Sequence, residues 1–224
     1  MSTAKPAVTP STTQRILDVA ERLVQTRGFS GFSYADVAAE VGISKASLHY
    51  HFPTKAELGR ALIERYGANF GAALSRIAAQ RGDARARLRA YVQLYANVLA
   101  DERMCLCGMV AAEYGTLPVP MQQALQGFFA ANEAWLAALL AEGARSGCLS
   151  LAVSADEAAG MLVGALEGAM LVARATGGRM RFESAARQLL ASLESQALSR
   201  APVPRPAGRT LKARLRAPRA LRRR

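Results

Sequence analysis

SYADVAAEVGISKASLHYHFPTKAEL, residues 33 to 58, decides how the chain reads. It spells two short helices joined by a tight turn, then the start of a third. Ser33 stands three positions before Asp36, so a hydroxyl and a carboxylate can close the free amides of a first helical turn. Gly42 ends that helix, because glycine enters the left-handed region at least cost. Ser44 caps the second helix, Pro53 stops it, and Thr54-Lys55-Ala56-Glu57 is a capping box for the third. Val37, Ala38, Val41, Ile43 and Leu48 supply one apolar face. The pattern predicts a helix-turn-helix, whose second helix lies in the major groove of DNA.

That second helix is expected over Lys45 to His51. Leu48 should anchor it inward. Lys45, Ser47, His49, Tyr50 and His51 then offer a cation, a hydroxyl, two imidazoles and a phenol to phosphates and base edges. Ala46 allows close approach of the backbone. Lys45 stands where the helix dipole also favours a phosphate, and Lys55 is a second phosphate candidate. Phe52 reads as core.

Outward from the motif, a leader of residues 1–10 is expected to be flexible. Helix one follows Ser11, with Ser11 and Gln14 as a capping box and Ile16, Leu17, Ala20, Leu23 and Val24 inside, and it ends near Gly28. Helix four should run from about Lys55 to Ala79, helix five from Ala84 to Ala100, and helix six from Met104 to near Gly115. A long seventh helix starts at Pro118 and Pro120 and reaches Ser146. Helix eight spans Ala155 to Thr176, stopped by Gly177-Gly178, and helix nine covers Phe182 to Leu198. Strand-type alternation is nearly absent, so the chain is expected to be all-α.

Bulk properties narrow the function. The chain has 224 residues, enough for one or two domains with a sizeable core. No apolar N-terminal stretch reads as a signal peptide. The most apolar run, Met161 to Ala173, is interrupted by Glu167 and is too short to span a bilayer, so no membrane partner and a cytoplasmic location are expected. The two histidines both fall in the DNA-reading helix, and no Ser-His-Asp, Cys-His, metal or phosphate-loop set occurs elsewhere. An enzyme, a metal site and a cofactor are therefore not expected. Ten of the 29 basic residues fall between Arg200 and Arg224 with no acid among them, so most of the net charge of +12 sits there and the remainder is close to neutral. This tail should be disordered, and it either adds non-specific affinity for phosphates or has no role.

The helix opened near Ser11, Gly28-Phe29, Ser33-Tyr34 and ISKASLHYHFPTKAEL together resemble the N-terminal domain of the TetR family of transcriptional repressors. The family usually shows an aliphatic-Ser-Lys-Gly-Thr-Leu-Tyr-His-Tyr-Phe run. Here Ala46 replaces the Gly, Ser47 the Thr, and His49-Tyr50-His51 the Tyr-His-Tyr. The resemblance implies a three-helix DNA-binding domain over residues 11–54. It also implies a six-helix ligand-binding and dimerisation domain over 55–199, and DNA contacts that include Ser33 and Tyr34. The partners would be a palindromic double-stranded operator, a second copy of the chain, and a small-molecule or electrophilic inducer. The competing class is an architectural or non-specific DNA-binding protein dominated by the tail.

Helix eight carries Gly160, Gly164 and Gly168, four apart, which makes one face nearly flat. In TetR-like proteins the last two helices form a four-helix dimer interface, so these glycines are expected there. Close packing within one subunit is the alternative. Tyr91, Tyr95, Cys105, Met109, Tyr114, Phe128 and Trp135 could line an apolar pocket, although core packing explains any one of them equally well. Cys105, next to Arg103 at a helix start, should have a lowered pKa. The segment CLCGMVAAEYGTLP looks like the branch of the family that includes electrophile- and acrylate-responsive repressors, and Cys105 matches a sensing cysteine by its place. A small buried hydrophobe is the plainer reading.

Overall fold

In the computed structural model, residues 10–194 are described; the rest of the leader and the basic tail lie outside the described residues. Nine α-helices occupy the described residues: α1 (Thr12–Arg27), α2 (Tyr34–Val41), α3 (Lys45–His51), α4 (Lys55–Ala78), α5 (Ala84–Ala100), α6 (Leu106–Ala111), α7 (Val119–Arg145), α8 (Ala155–Thr176) and α9 (Gly178–Leu193). The fold is all-α.

Local chemistry sets most of the helix starts. Ser11, Ser33, Thr54 and Ser154 each close a reciprocal capping box with Gln14, Asp36, Glu57 and Glu157. Gly42 takes the left-handed conformation (φ 75°, ψ 40°) that turns the chain from α2 into α3. Three boundaries differ from the sequence reading, one of them the end of helix nine, at Leu193 where Leu198 was expected. Helix six is short: it ends at Ala111, and a single 3-10 turn over Tyr114–Thr116 leads to Pro118. Helix nine starts at Gly178, because the glycine pair reverses the chain at once (φ of Gly178 +61°). α7 and α8 have the length and hydropathy to cross a bilayer, contrary to the expectation from the shorter apolar run. Both instead bury one face in the helix bundle, with Leu136 and Leu140 of α7 and Leu166 and Met170 of α8 fully enclosed.

α1 to α3 form a small core of Ile16, Leu23, Val37 and Leu48. α4 leaves this core and packs along α7, so one continuous helix belongs to both halves. Arg65 of α4 pairs with Asp18 and Glu21 of α1, both at 2.6 Å. Arg174 of α8 donates to the Gln25 and Thr26 carbonyls at 3.0 and 2.6 Å, closing carbonyls left free at the end of α1. α8 and α9 pack against each other at the far side of the bundle.

Candidate nucleic-acid interface and effector chamber

The recognition helix presents the face the sequence implies. Leu48 is fully buried, and Lys45, Ala46, His49 and Tyr50 are exposed; Tyr50 is 85% exposed. A phenol that far from any core has a surface role only. Ser47 is half-buried, and its amide receives the Ser44 cap. His51 is turned towards the start of α1, with Nδ1 3.1 Å from the Thr13 hydroxyl. His49 Nδ1 lies 3.1 Å from the Pro53 carbonyl.

Three other candidates point inward or are occupied. The Ser33 hydroxyl is used in its capping box. Tyr34 donates to the Phe52 carbonyl at 2.8 Å, and its ring lies 4.7 Å from His49; burial, helped by Glu57, pushes its phenol up to about 12. Lys55 folds back over the rings of Phe29 and Phe32, at 4.8 and 4.3 Å from their centroids, and donates to the Phe32 carbonyl at 2.5 Å. Burial lowers its pKa, offset in part by Glu113 and Asp36. Lys55 thus clamps the loop between α1 and α2, and the phosphate role read from its place in the motif has no support in this conformation.

The second half holds two adjacent cavities that share Phe70. The first, about 370 Å³, lies between α4 and α7 and is walled by Ile63, Gly67, Phe128, Asn132 and Trp135. The second, about 190 Å³, is walled by Tyr66, Asn69, Tyr95, Cys105 and Met170. Between them stands a buried polar group. Tyr91 donates to Asn132 Oδ1 at 3.0 Å, the Tyr91 and Tyr95 hydroxyls are 3.1 Å apart, and Asn132 Nδ2 donates to Tyr95 at 3.3 Å. Tyr91 stacks on Trp135 with centroids 5.7 Å apart. Desolvation raises both phenols, so they stay neutral hydrogen-bonding groups.

Of the expected pocket residues, Tyr95, Cys105, Phe128 and Trp135 line the cavities, with Tyr91 behind them. Met109 packs beside Gly28 at the end of α1, and Tyr114 is exposed in the 3-10 turn, where its hydroxyl accepts from Gln126 at 2.6 Å. Neither borders either of these two cavities. Tyr66, Phe70, Asn132 and Glu167 are the residues sequence reasoning missed. The helical spacing of Ile63, Tyr66, Phe70 and Leu74 is the signal that could have found the α4 wall.

Of the two readings of Cys105, its burial favours the small buried hydrophobe over the thiol of lowered pKa. Cys105 is fully buried, accepts a long hydrogen bond from Tyr66 (3.7 Å) and faces the Glu167 carboxylate. Burial first, then that carboxylate, push its thiol well up, where the sequence suggested a lowered value. The helix it caps has six residues and cannot outweigh desolvation.

The glycine stripe of α8 faces out of the subunit. A Cβ at Gly164 or Gly168 would meet nothing within 4 Å, and one at Gly160 would only reach Glu133 at 4.0 Å. At Gly164 and Gly168, among the described residues, no neighbour lies close enough to require a glycine. Around them Met161, Leu171 and Val172 are 68, 62 and 44% exposed.

Comparison with known proteins agrees with this architecture. Residues 16–62 match the bacterial regulatory proteins of the tetR family, and residues 84–189 match the tetracyclin repressor-like C-terminal domain. A TetR-family transcriptional regulator from Agrobacterium tumefaciens superposes with a TM-score of 0.79 at 32% identity, over 82% of this chain and 97% of that one. Transcriptional regulator AcuR of Cereibacter sphaeroides is 30% identical over 152 residues, 66% of this chain and 69% of its own. Nucleoid occlusion factor SlmA of Photobacterium profundum is 37% identical over 76 residues; the match spans 34% of this chain and only 39% of that protein.

Proposed function

The chain belongs to the tetR family of bacterial regulatory proteins, and from that premise we propose that it is a cytoplasmic, homodimeric repressor released from a palindromic operator by a small molecule. It is a transcriptional regulator and not an enzyme. The observation that carries the proposal is the course of α4. The helix starts at Lys55, directly behind the recognition helix, and its Ile63, Gly67 and Phe70 wall the cavity against α7. A molecule wedged between α4 and α7 tilts α4 and carries α3 with it. Two recognition helices must fit major grooves about 34–36 Å apart, so a small tilt in each subunit ends the fit. The effector does this only by binding the DNA-incompetent state more tightly.

The outward Gly164 and Gly168, ringed by exposed Met161, Leu171 and Val172, support pairing of two copies through α8 and α9. The buried thiol of Cys105, held beside a carboxylate, favours reversible binding of the effector over covalent capture of an electrophile. Footprinting on the DNA flanking the protein's own gene tests the proposal. Two protected half-sites related by a dyad are expected. Uniform protection without half-sites would refute an operator-specific repressor.

A nucleoid-associated role is the second reading. Its specific observation is the likeness over 76 residues to a nucleoid occlusion factor, joined to the basic run Arg200 to Arg224. It requires DNA binding with little sequence preference and dependence on that run.

A further inference from the structure

We propose that the effector of this protein is an organic cation with an apolar body, attracted by the Glu167 carboxylate behind the second cavity. This rests on the effector-site reading above.

Glu167 lies in the middle of α8, between the buried Leu166 and Met170. Its Oε1 is out of reach of water and has no hydrogen-bond partner, and its carboxylate faces the Cys105 thiol. A Cβ on residue 108 would collide with it, so Gly108 is what lets the carboxylate lie against α6. Among the described residues no Lys or Arg pairs with it. Glu21, the other acid at this cavity, is already held by Arg65. The cavity wall formed by Cys105 therefore has one uncompensated negative charge one side chain behind it.

A half-buried carboxylate without a counter-ion is costly, and its field is stronger than in water. A cation that enters the cavity reduces that cost, whereas an anion adds to it. The rest of the wall suits the same ligand. The rings of Tyr66, Phe70 and Tyr95 surround the cavity and offer cation–π faces, and the hydroxyls of Tyr91 and Tyr95 are already turned to Asn132. Phe70 borders both cavities and Tyr91 stacks on Trp135, so a ligand in the second cavity touches a wall that leads to the indole.

Three probes of similar size separate the charge classes: benzyltrimethylammonium, neutral benzyl alcohol and the anion phenylacetate. Binding to the full-length protein is read by the fluorescence of Trp135, the sole tryptophan of the chain, and by calorimetry. Saturable binding of the cation at least about tenfold tighter than of either other probe is expected. Glu167→Gln, which keeps the shape of the side chain, should abolish that preference while leaving the folded helix content unchanged. Equal or tighter binding of the neutral or anionic probe, or a preference that survives Glu167→Gln, overturns the proposal. If the neutral probe binds and perturbs Trp135, the effector site stands and only its charge class fails. If no probe of any charge perturbs Trp135, the effector-site reading fails with it.

Discussion

Glu113 holds Ser30 across the junction between the two halves of the chain. Its carboxylate accepts the Ser30 amide at 2.9 Å and the Ser30 hydroxyl as well. Ser30 lies in the loop that Lys55 clamps from the other side through Phe32. The loop between α1 and α2 is thus gripped by the segment after α6 and by the first residue of α4. On the proposed function, movement in the effector half would reach the DNA-reading half through both grips.

Glu113→Ala should therefore loosen coupling more than stability. The contact is solvent-exposed, so its loss is expected to cost about 1 kcal/mol or less in unfolding free energy. The ratio of operator affinities without and with effector should fall about fivefold, the scale of a 1 kcal/mol coupling. Fluorescence anisotropy on labelled operator measures it; an unchanged ratio would remove Glu113 from the coupling path.

Lys45 and Lys55 should behave differently although both stand in the DNA-binding motif. Lys45 is exposed and makes no side-chain hydrogen bond or ion pair among the described residues. Lys45→Ala should lower the salt dependence of DNA binding by about one phosphate contact, with no change in melting temperature. Lys55→Ala removes a cation–π contact and a hydrogen bond to Phe32, and should cost about 1–2 kcal/mol of stability with the salt slope kept. A Lys55 variant that lost salt slope alone would return this residue to the phosphate backbone.

Much of this was legible in the sequence, and the limits have physical causes. The caps at Ser11, Ser33, Ser44, Thr54 and Ser154 are local chemistry, settled within four residues, and their helices start where they were expected. The end of α6 and the start of α9 depend on how a glycine or a proline turn is used in three dimensions. Lys55 and Tyr34 read as DNA contacts by their place in the motif, but rings and a carbonyl more than 15 residues distant claim them. Cys105 read as a small buried hydrophobe or, by its place at a helix start near an arginine, as a thiol of lowered pKa. Burial under α4 and a carboxylate from α8 favour the first, and neither neighbour is near it in sequence. Glu167 looked like a mere interruption of an apolar run, because only the fold shows that no Lys or Arg among the described residues pairs with it.

The Glu167 carboxyl gives a pH test. Burial pushes its pKa from 4.5 up to about 6, with the Cys105 thiol opposing, and the groups facing it are Tyr66, Tyr91, Tyr95, Cys105 and Cys107. The folded state thus holds this proton more tightly than the unfolded state. Its contribution to stability is whole below the unfolded pKa and is lost as pH rises through the folded one. Glu167→Gln should match the native protein near pH 4 and exceed it by about 2 kcal/mol at pH 7, by the usual conversion of a pKa shift. Urea unfolding at the two pH values checks this; a constant gap would mean that Glu167 has a partner in solution.

The thiols should react in the order of their exposure. Cys148 is half-buried, whereas Cys105 and Cys107 are buried with raised pKa values. An aromatic disulfide reagent should label Cys148 first and the other two only at the rate at which the bundle opens. Cys105→Ser should leave effector release of DNA intact. Fast labelling of Cys105 in the native protein, with loss of release in the serine variant, would instead make it a covalent sensor.

The most direct test of an operator-specific regulator is its affinity for the DNA flanking its own gene against random DNA, at near-physiological salt, with and without residues 200–224. Tight binding at least about a thousandfold selective, retained without those residues, is the predicted result. Unselective binding that disappears with them would contradict the account and leave a nucleoid-associated protein in its place.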